Sequence, residues 1–117
     1  MSLSIELPFP PSVNRMWRSV QGRVLISAEG RSYRKAVADQ VLVQRAAKQL
    51  AGRLAVSIFA FPPDKRRRDL DNLFKSVLDA LTHAGVWLDD EQIDALSIRR
   101  GHAVAPGSVR VEVREVA

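Results

Sequence analysis

The stretch from Lys65 to Glu91 reads KRRRDLDNLFKSVLDALTHAGVWLDDE and carries most of the side chains in this sequence that could do chemistry. Four consecutive cations, Lys65, Arg66, Arg67 and Arg68, run straight into two aspartates one residue apart, Asp69 and Asp71. Lys75 follows, and a second acidic cluster closes the stretch at Asp89, Asp90 and Glu91. Cations in a row attract phosphate. Carboxylates that their neighbours cannot all neutralise attract a hard divalent cation. Mg²⁺ (or Mn²⁺) held through one or two carboxylates, with waters and a phosphate oxygen completing its octahedron, satisfies both charges. An ion so placed activates water and stabilises a leaving oxygen. Lys75, one helical turn beyond Asp71, can meet a scissile phosphate or the charge that develops on it. The combination points to metal-assisted cleavage of a phosphodiester.

Singly, each residue also has an ordinary structural role. Asp69 or Asp71 suits a helix N-cap. Asp79 lies four residues after Lys75, the spacing of a surface ion pair. Asp89 or Glu91 could cap or solubilise a loop, and Lys75 could be a plain surface lysine. Together the acids are harder to dismiss, because carboxylates converging without a cation raise one another's pKa and weaken the fold.

The elements that must position them follow from periodicity. Leu73, Val77, Leu78, Leu81 and Ala84 make a helical stripe, and Gly85 suits the position after a helix where φ turns positive. Asp69 and Asp71 then stand at the helix entrance. If the backbone there is extended, side chains two apart share a face and both carboxylates point to one place. Trp87 and Leu88 are available to anchor the returning chain, which brings Asp89 and Asp90 back towards the helix.

Elsewhere, Leu3, Ile5 and Leu7 alternate with polar residues as in a half-buried strand that Pro8, Pro10 and Pro11 stop. Residues 12–21 read as a polar, cationic loop with Trp17 among Arg15 and Arg18. Residues 22–27 read as a second strand, a hairpin partner for the first. From Ser27, an N-cap, apolar positions at Tyr33, Val37, Val41, Ala47 and Leu50 predict a long helix ended by Gly52. Its other face carries Arg31, Arg34, Lys35, Arg45 and Lys48, mostly a solvated face, although the first three could join a phosphate surface. Residues 54–61 are apolar on both faces, which suits a central strand covered on both sides. Residues 93–100 and the alternating Val109, Val111 and Val113 read as a terminal hairpin. The order β-β-α-β-α-β-β predicts an α/β (α+β) fold, a mixed sheet of about five strands with two main helices.

Composition sets bounds. A chain of 117 residues, 46% apolar, is expected to form one globular domain over 1–117. With 6% aromatics the core must be mostly aliphatic. A net charge of +5 and a pI near 10.4 favour a polyanionic partner. The absence of cysteine excludes disulfides, zinc-thiolate sites and thiol nucleophiles. With two histidines, a histidine-rich metal site is disfavoured. The first residues show neither a basic leader nor a long apolar run, which predicts no membrane association and a cytoplasmic or nucleoid location.

The pattern RRRDLDNLFKSVLDAL followed by AGVWLDDEQI resembles the signature of the RusA family of Holliday-junction resolvases, small homodimeric endonucleases often carried by prophages. LPFPPSVNRMWR and GRVLISAEGRSYR resemble that family's opening, so the likeness spans nearly the whole chain in order. Carried over position by position, the resemblance implies metal-binding aspartates at Asp69, Asp71 and Asp90 and a catalytic lysine at Lys75. It implies Mg²⁺-dependent resolution of four-way DNA junctions by symmetric nicks in two strands of like polarity, and a homodimer supplying one site per protomer. Two scissile strands call for two sites about a two-fold axis. Arg15, Arg18, Lys65, Arg66, Arg67 and Arg68 would then hold the DNA backbone, contacts that carry little sequence information.

Two other classes compete with an enzyme. A non-catalytic binder of branched DNA, of phage origin, would gain nothing from anions set beside phosphate. An RNA-binding protein using the basic run would favour single strands, which the scarcity of aromatics for stacking disfavours.

Overall fold

The computed structural model describes residues 2–116. The elements run β1 (Ser2–Pro8), α1 (Val13–Met16), β2 (Trp17–Val20), β3 (Arg23–Ile26), α2 (Ala28–Val43), β4 (Leu54–Phe61), α3 (Asp71–His83), a 3₁₀ turn at Asp90–Gln92, β5 (Ile93–Arg100) and β6 (Ser108–Glu115). Alternation of apolar residues builds a four-stranded sheet in the order β1-β6-β4-β5. Ile5 faces Val111, which in turn faces Ile58; Leu7, Val109 and Ala60 form the next row, and Leu3, Val113 and Val56 the row before it. These aliphatic rows, β-branched at six of their nine positions, make one continuous apolar face. Val37 and Val41 of α2 and Val77, Ala80 and Leu81 of α3 join it in a single core. β4 and β5 are parallel and the other pairs antiparallel, so the sheet is mixed and the fold α+β, as the sequence predicts.

The strand partners differ from those expected. β3 pairs with Trp17–Val20 and not with β1, so residues 12–21 are not simply a loop. The reason is the turn: Gln21 and Gly22 both have positive φ, the geometry of a tight two-residue hairpin. The last two strands do not form a hairpin either, because β4 lies between them. Gly101 donates to the Ala60 carbonyl and Val104 to that of Pro62, so the connection crosses the end of β4 before turning back. One face of β4 is buried, whereas Ala55, Ser57, Phe59 and Phe61 on the other are half-buried. The strand is thus not covered on both sides; Arg110 lies over the Phe59 ring there.

α2 begins at the Ser27 cap, whose Oγ accepts from the Gly30 amide at 2.9 Å. It ends at Val43, well before Gly52, since Arg45 adopts φ 57° and breaks the helix. Ala46 and Leu50 remain in the core from non-helical backbone, and Leu50 bridges to Trp87. Gly30 is needed where it is, for a Cβ there would strike the Met16 carbonyl and lie 2.7 Å from Ile26 Cγ1. Among the described residues no helix is long and apolar enough to cross a membrane.

Candidate active site

Asp71, Lys75 and Asp79 are spaced four apart along α3 and so share one side of it. With Trp17, Arg34 and Asp90 they line a cavity of about 610 Å³. Gly85, at φ 85°, ends the helix as the sequence predicts, and the chain turns back through Val86 and Trp87, both buried. Trp87 anchors the turn by donating Nε1–H to Thr82 Oγ1 at 2.7 Å. Leu88, expected to help, is exposed.

A second anchor was not foreseen. The buried Gln92 uses both ends of its amide. Its Oε1 accepts from the amides of Leu88 and Asp89 at 2.9 and 2.8 Å, and its Nε2 donates to the carbonyls of Leu50 and Gly52, each at 2.8 Å. Asp89 caps the same 3₁₀ turn by accepting from Glu91, completing a capping box with Gln92. Asp90 thus rides on a turn clamped to the loop before β4. The D-x-x-Q spacing of a capping box was the available signal.

Asp69 is placed differently. It lines a separate cavity of about 440 Å³ with Phe9, Pro10, Ser12, Arg67, Arg68 and Asn72. The extended backbone assumed for these residues is not found: Leu70 is helical at φ −64°, ψ −38°, so side chains at 69 and 71 diverge instead of sharing a face. Leu70 is the N-cap residue, and neither aspartate serves as a side-chain cap. Asp71 and Asp90 therefore share a cavity with Lys75 while Asp69 lines a separate one, so the three aspartates do not converge as the resemblance implies. Among the described residues, no three acidic or histidine side chains are gathered at one point.

The electrostatics of the cavity are uneven. Burial, and then the adjacent Asp89 carboxylate, pushes the Asp90 carboxyl above the usual aspartate range. Asp79 does not pair with Lys75, contrary to the i,i+4 expectation. It accepts instead from Arg34 Nε and from the Arg34 terminal nitrogen, at 2.9 Å each. Lys75 Nζ lies over the Trp17 ring, 5.0 Å from its centroid.

The basic run is partly committed to its own loop. Arg68 and Arg66 both hold Asp64, at 2.8 and 3.1 Å, and keep its carboxyl far below the ordinary range. Arg68 also stacks over Phe9, and Arg100 donates to the Arg68 carbonyl. Arg15 pairs with Glu29 at 3.2 Å. Among the described residues Lys65, Arg67 and Arg18 make no ion pair, which leaves them with full charge to offer. Arg31 donates to the Ile26 carbonyl and Lys35 pairs with Asp39, so of the early α2 cations it is Arg34 that reaches the cavity.

This is a small α+β protein whose cleft holds Asp71, Asp90 and Lys75 beside an Asp79 already taken by Arg34. Comparison with known proteins gives the family. The model described as "Endodeoxyribonuclease RusA" matches residues 8–114. The chain is 40% identical over 110 residues to the crossover junction endodeoxyribonuclease RusA of Enterobacteria phage HK97, covering 94% of this chain and 92% of that protein. It is 42% identical over 113 residues to the protein of the same name from Escherichia coli, covering 97% and 94%. The chain belongs to the RusA endodeoxyribonuclease family.

Proposed function

We propose that this protein is a Mg²⁺-dependent, structure-specific endonuclease that resolves four-way DNA junctions by paired symmetric nicks, working as a homodimer with one site per protomer. The observation that carries the reading is the single cavity shared by Asp71, Lys75 and Asp90 in a chain alike, over nearly its full length, to crossover junction endodeoxyribonucleases. The donor set fits the ion: Mg²⁺ takes oxygen ligands and commonly uses one or two carboxylates, with water and phosphate filling the rest. Asp71 and Asp90 would hold it, and Asp69, across the helix entrance, is the third carboxylate that the family resemblance assigns. When bound, the ion supplies positive charge to the scissile phosphate and lowers the pKa of water.

The chain's own residues orient the substrate. The Lys75 ammonium meets a non-bridging phosphate oxygen and offsets charge that grows on it. Lys65, Arg67 and Arg18 hold the backbone on either side; Arg66, Arg68 and Arg15 contribute charge while already anchored to the protein. Such contacts position DNA without reading its bases, so selectivity for a junction comes from shape. The net charge of +5 and a role on DNA are consistent with a nucleoid location.

The test is Asp71→Asn assayed on a synthetic four-way junction with Mg²⁺. Junction binding is expected to persist and nicking to be lost. Undiminished nicking would remove Asp71 from the mechanism, and nicking that survives EDTA would remove the metal.

A further inference from the structure

Lys75 has an acidic residue one helical turn away on each side, Asp71 and Asp79, yet among the described residues it pairs with neither. Asp79 is withdrawn from it, because both carboxylate oxygens are taken by Arg34, which reaches across from α2. The pair is about three-quarters buried, with side-chain exposures of 27% and 26%. A carboxylate left unpaired in such a place is poorly hydrated and seeks the nearest cation. At i,i+4 spacing that cation is Lys75.

The backbone that leads into Trp17, whose ring lies beneath Lys75, is also fixed by α2. Met16, the residue before it, is fully buried, and its carbonyl accepts from the Ser27 amide and Oγ at 3.0 Å each. Gly30 lets α2 close against this same carbonyl. One helix thereby holds both the backbone entering Trp17 and the guanidinium that occupies the competing carboxylate.

We propose that Arg34 is a positioning residue for Lys75: by occupying Asp79 it prevents a Lys75–Asp79 ion pair and leaves the ammonium, steadied over Trp17, free for phosphate. The proposal rests on the reading of Lys75 as a phosphate-facing group given above. It differs from two simpler roles for Arg34, a staple between α2 and α3 or a direct phosphate contact. In both of those, removing Asp79 as well would bring no recovery.

The experiment compares single-turnover nicking of a synthetic four-way junction at saturating Mg²⁺ by the full-length wild type, Lys75→Ala, Arg34→Gln, Asp79→Asn and the double variant Arg34→Gln/Asp79→Asn. Urea unfolding of each is measured in parallel. Arg34→Gln is expected to slow nicking by about tenfold, the scale of one uncompensated charge near a reacting phosphate. The double variant, which has the wild-type net charge but no staple, is expected to recover to within about twofold of wild type, the ordinary error of additivity. Its unfolding midpoint should remain as low as that of Arg34→Gln. The proposal is overturned by a double variant as slow as Arg34→Gln, by Arg34→Gln nicking at the wild-type rate, or by Asp79→Asn alone being as slow. Lys75→Ala separates the two levels. If it nicks normally, the reading of Lys75 is what has failed; if it is inactive while Arg34→Gln is not, only the positioning role falls.

Discussion

Replacing Gln92 by Met tests whether one buried amide holds the turn that carries Asp90. Met keeps the length and approximate volume of Gln, so little of the effect comes from a cavity. What disappears is four hydrogen bonds of 2.8–2.9 Å, two accepted from the Leu88 and Asp89 amides and two donated to the Leu50 and Gly52 carbonyls. A net contribution of about 1 kcal/mol applies to each, and the Leu50 carbonyl, in the buried part of the clamp, is the hardest for water to reach. The expected cost is roughly 2–4 kcal/mol, a large share of the 5–15 kcal/mol that holds a typical domain together. The Tm should fall by about 10 °C. Urea unfolding followed by tryptophan fluorescence reads this directly, since Trp87 is buried in the same turn. At 25 °C the variant remains mostly folded, so a loss of nicking beyond the unfolded fraction reports a displaced Asp90. A midpoint corresponding to less than about 0.5 kcal/mol of change, the size of an ordinary surface substitution, would show that the clamp does not hold the turn.

Other outcomes follow from the charges and the packing. Arg67→Ala should reduce the slope of log K for junction binding against log salt by about one, while Arg68→Ala should also loosen the loop it braces through Asp64; equal behaviour of the two would refute this division. The Asp90 carboxyl holds its proton more tightly folded than unfolded, so its ionised form weakens the fold above that raised pKa and the penalty fades as pH falls through it. Asp90→Asn should therefore leave the metal-free Tm at neutral pH equal or higher, with the difference vanishing in acid, and a lower Tm at neutral pH would contradict it. Gly30→Ala should cost roughly 1–3 kcal/mol or more by forcing α2 off the Met16 carbonyl, and unchanged urea unfolding would show that the interface yields freely.

Local signals were the ones the sequence expressed clearly. Alternation in 3–7, 54–60 and 109–113 marks the three strands that build the core face, and the α3 stripe with Gly85 behind it marks the site helix. Pairing is not local, so adjacency in sequence misassigned β3 to β1 and β5 to β6; the actual partners depend on the Gln21–Gly22 turn and on a crossover past the end of β4. The end of α2 was obscured because Leu50 stays buried after the helix has stopped; Ala47, read as part of the stripe, is exposed, and Ala46 takes the core position because the helix has already broken at Arg45. In the site, residue types pointed to Asp69, Asp71, Lys75 and the acidic cluster at 89–91, and the family resemblance singled out Asp90; the structure brings Asp71, Lys75 and Asp90 to one cavity, and the helical backbone at Leu70 parts Asp69 from them. The pairing of Arg34 with Asp79 and the clamp made by Gln92 were hidden for a related reason. The partners, Asp79 and the Leu50 and Gly52 carbonyls, lie about forty residues away in the chain.

The register joining β1 to β6, from Ser2 opposite Arg114 to Pro8 opposite Ser108, spans nearly the whole described chain. β1 leads directly into Phe9, Pro10 and Ser12, which form the wall facing Asp69, and that wall is tied down by Tyr33 to Pro8 and by Ser76 to Pro11. During synthesis β1 emerges early but has no strand to pair with until β6 has left the ribosome. The wall facing Asp69 is therefore set only when two strands about a hundred residues apart meet. Until that long-range pairing forms, the Asp71 and Asp90 side of α3 can be in place while the Asp69 side stays open.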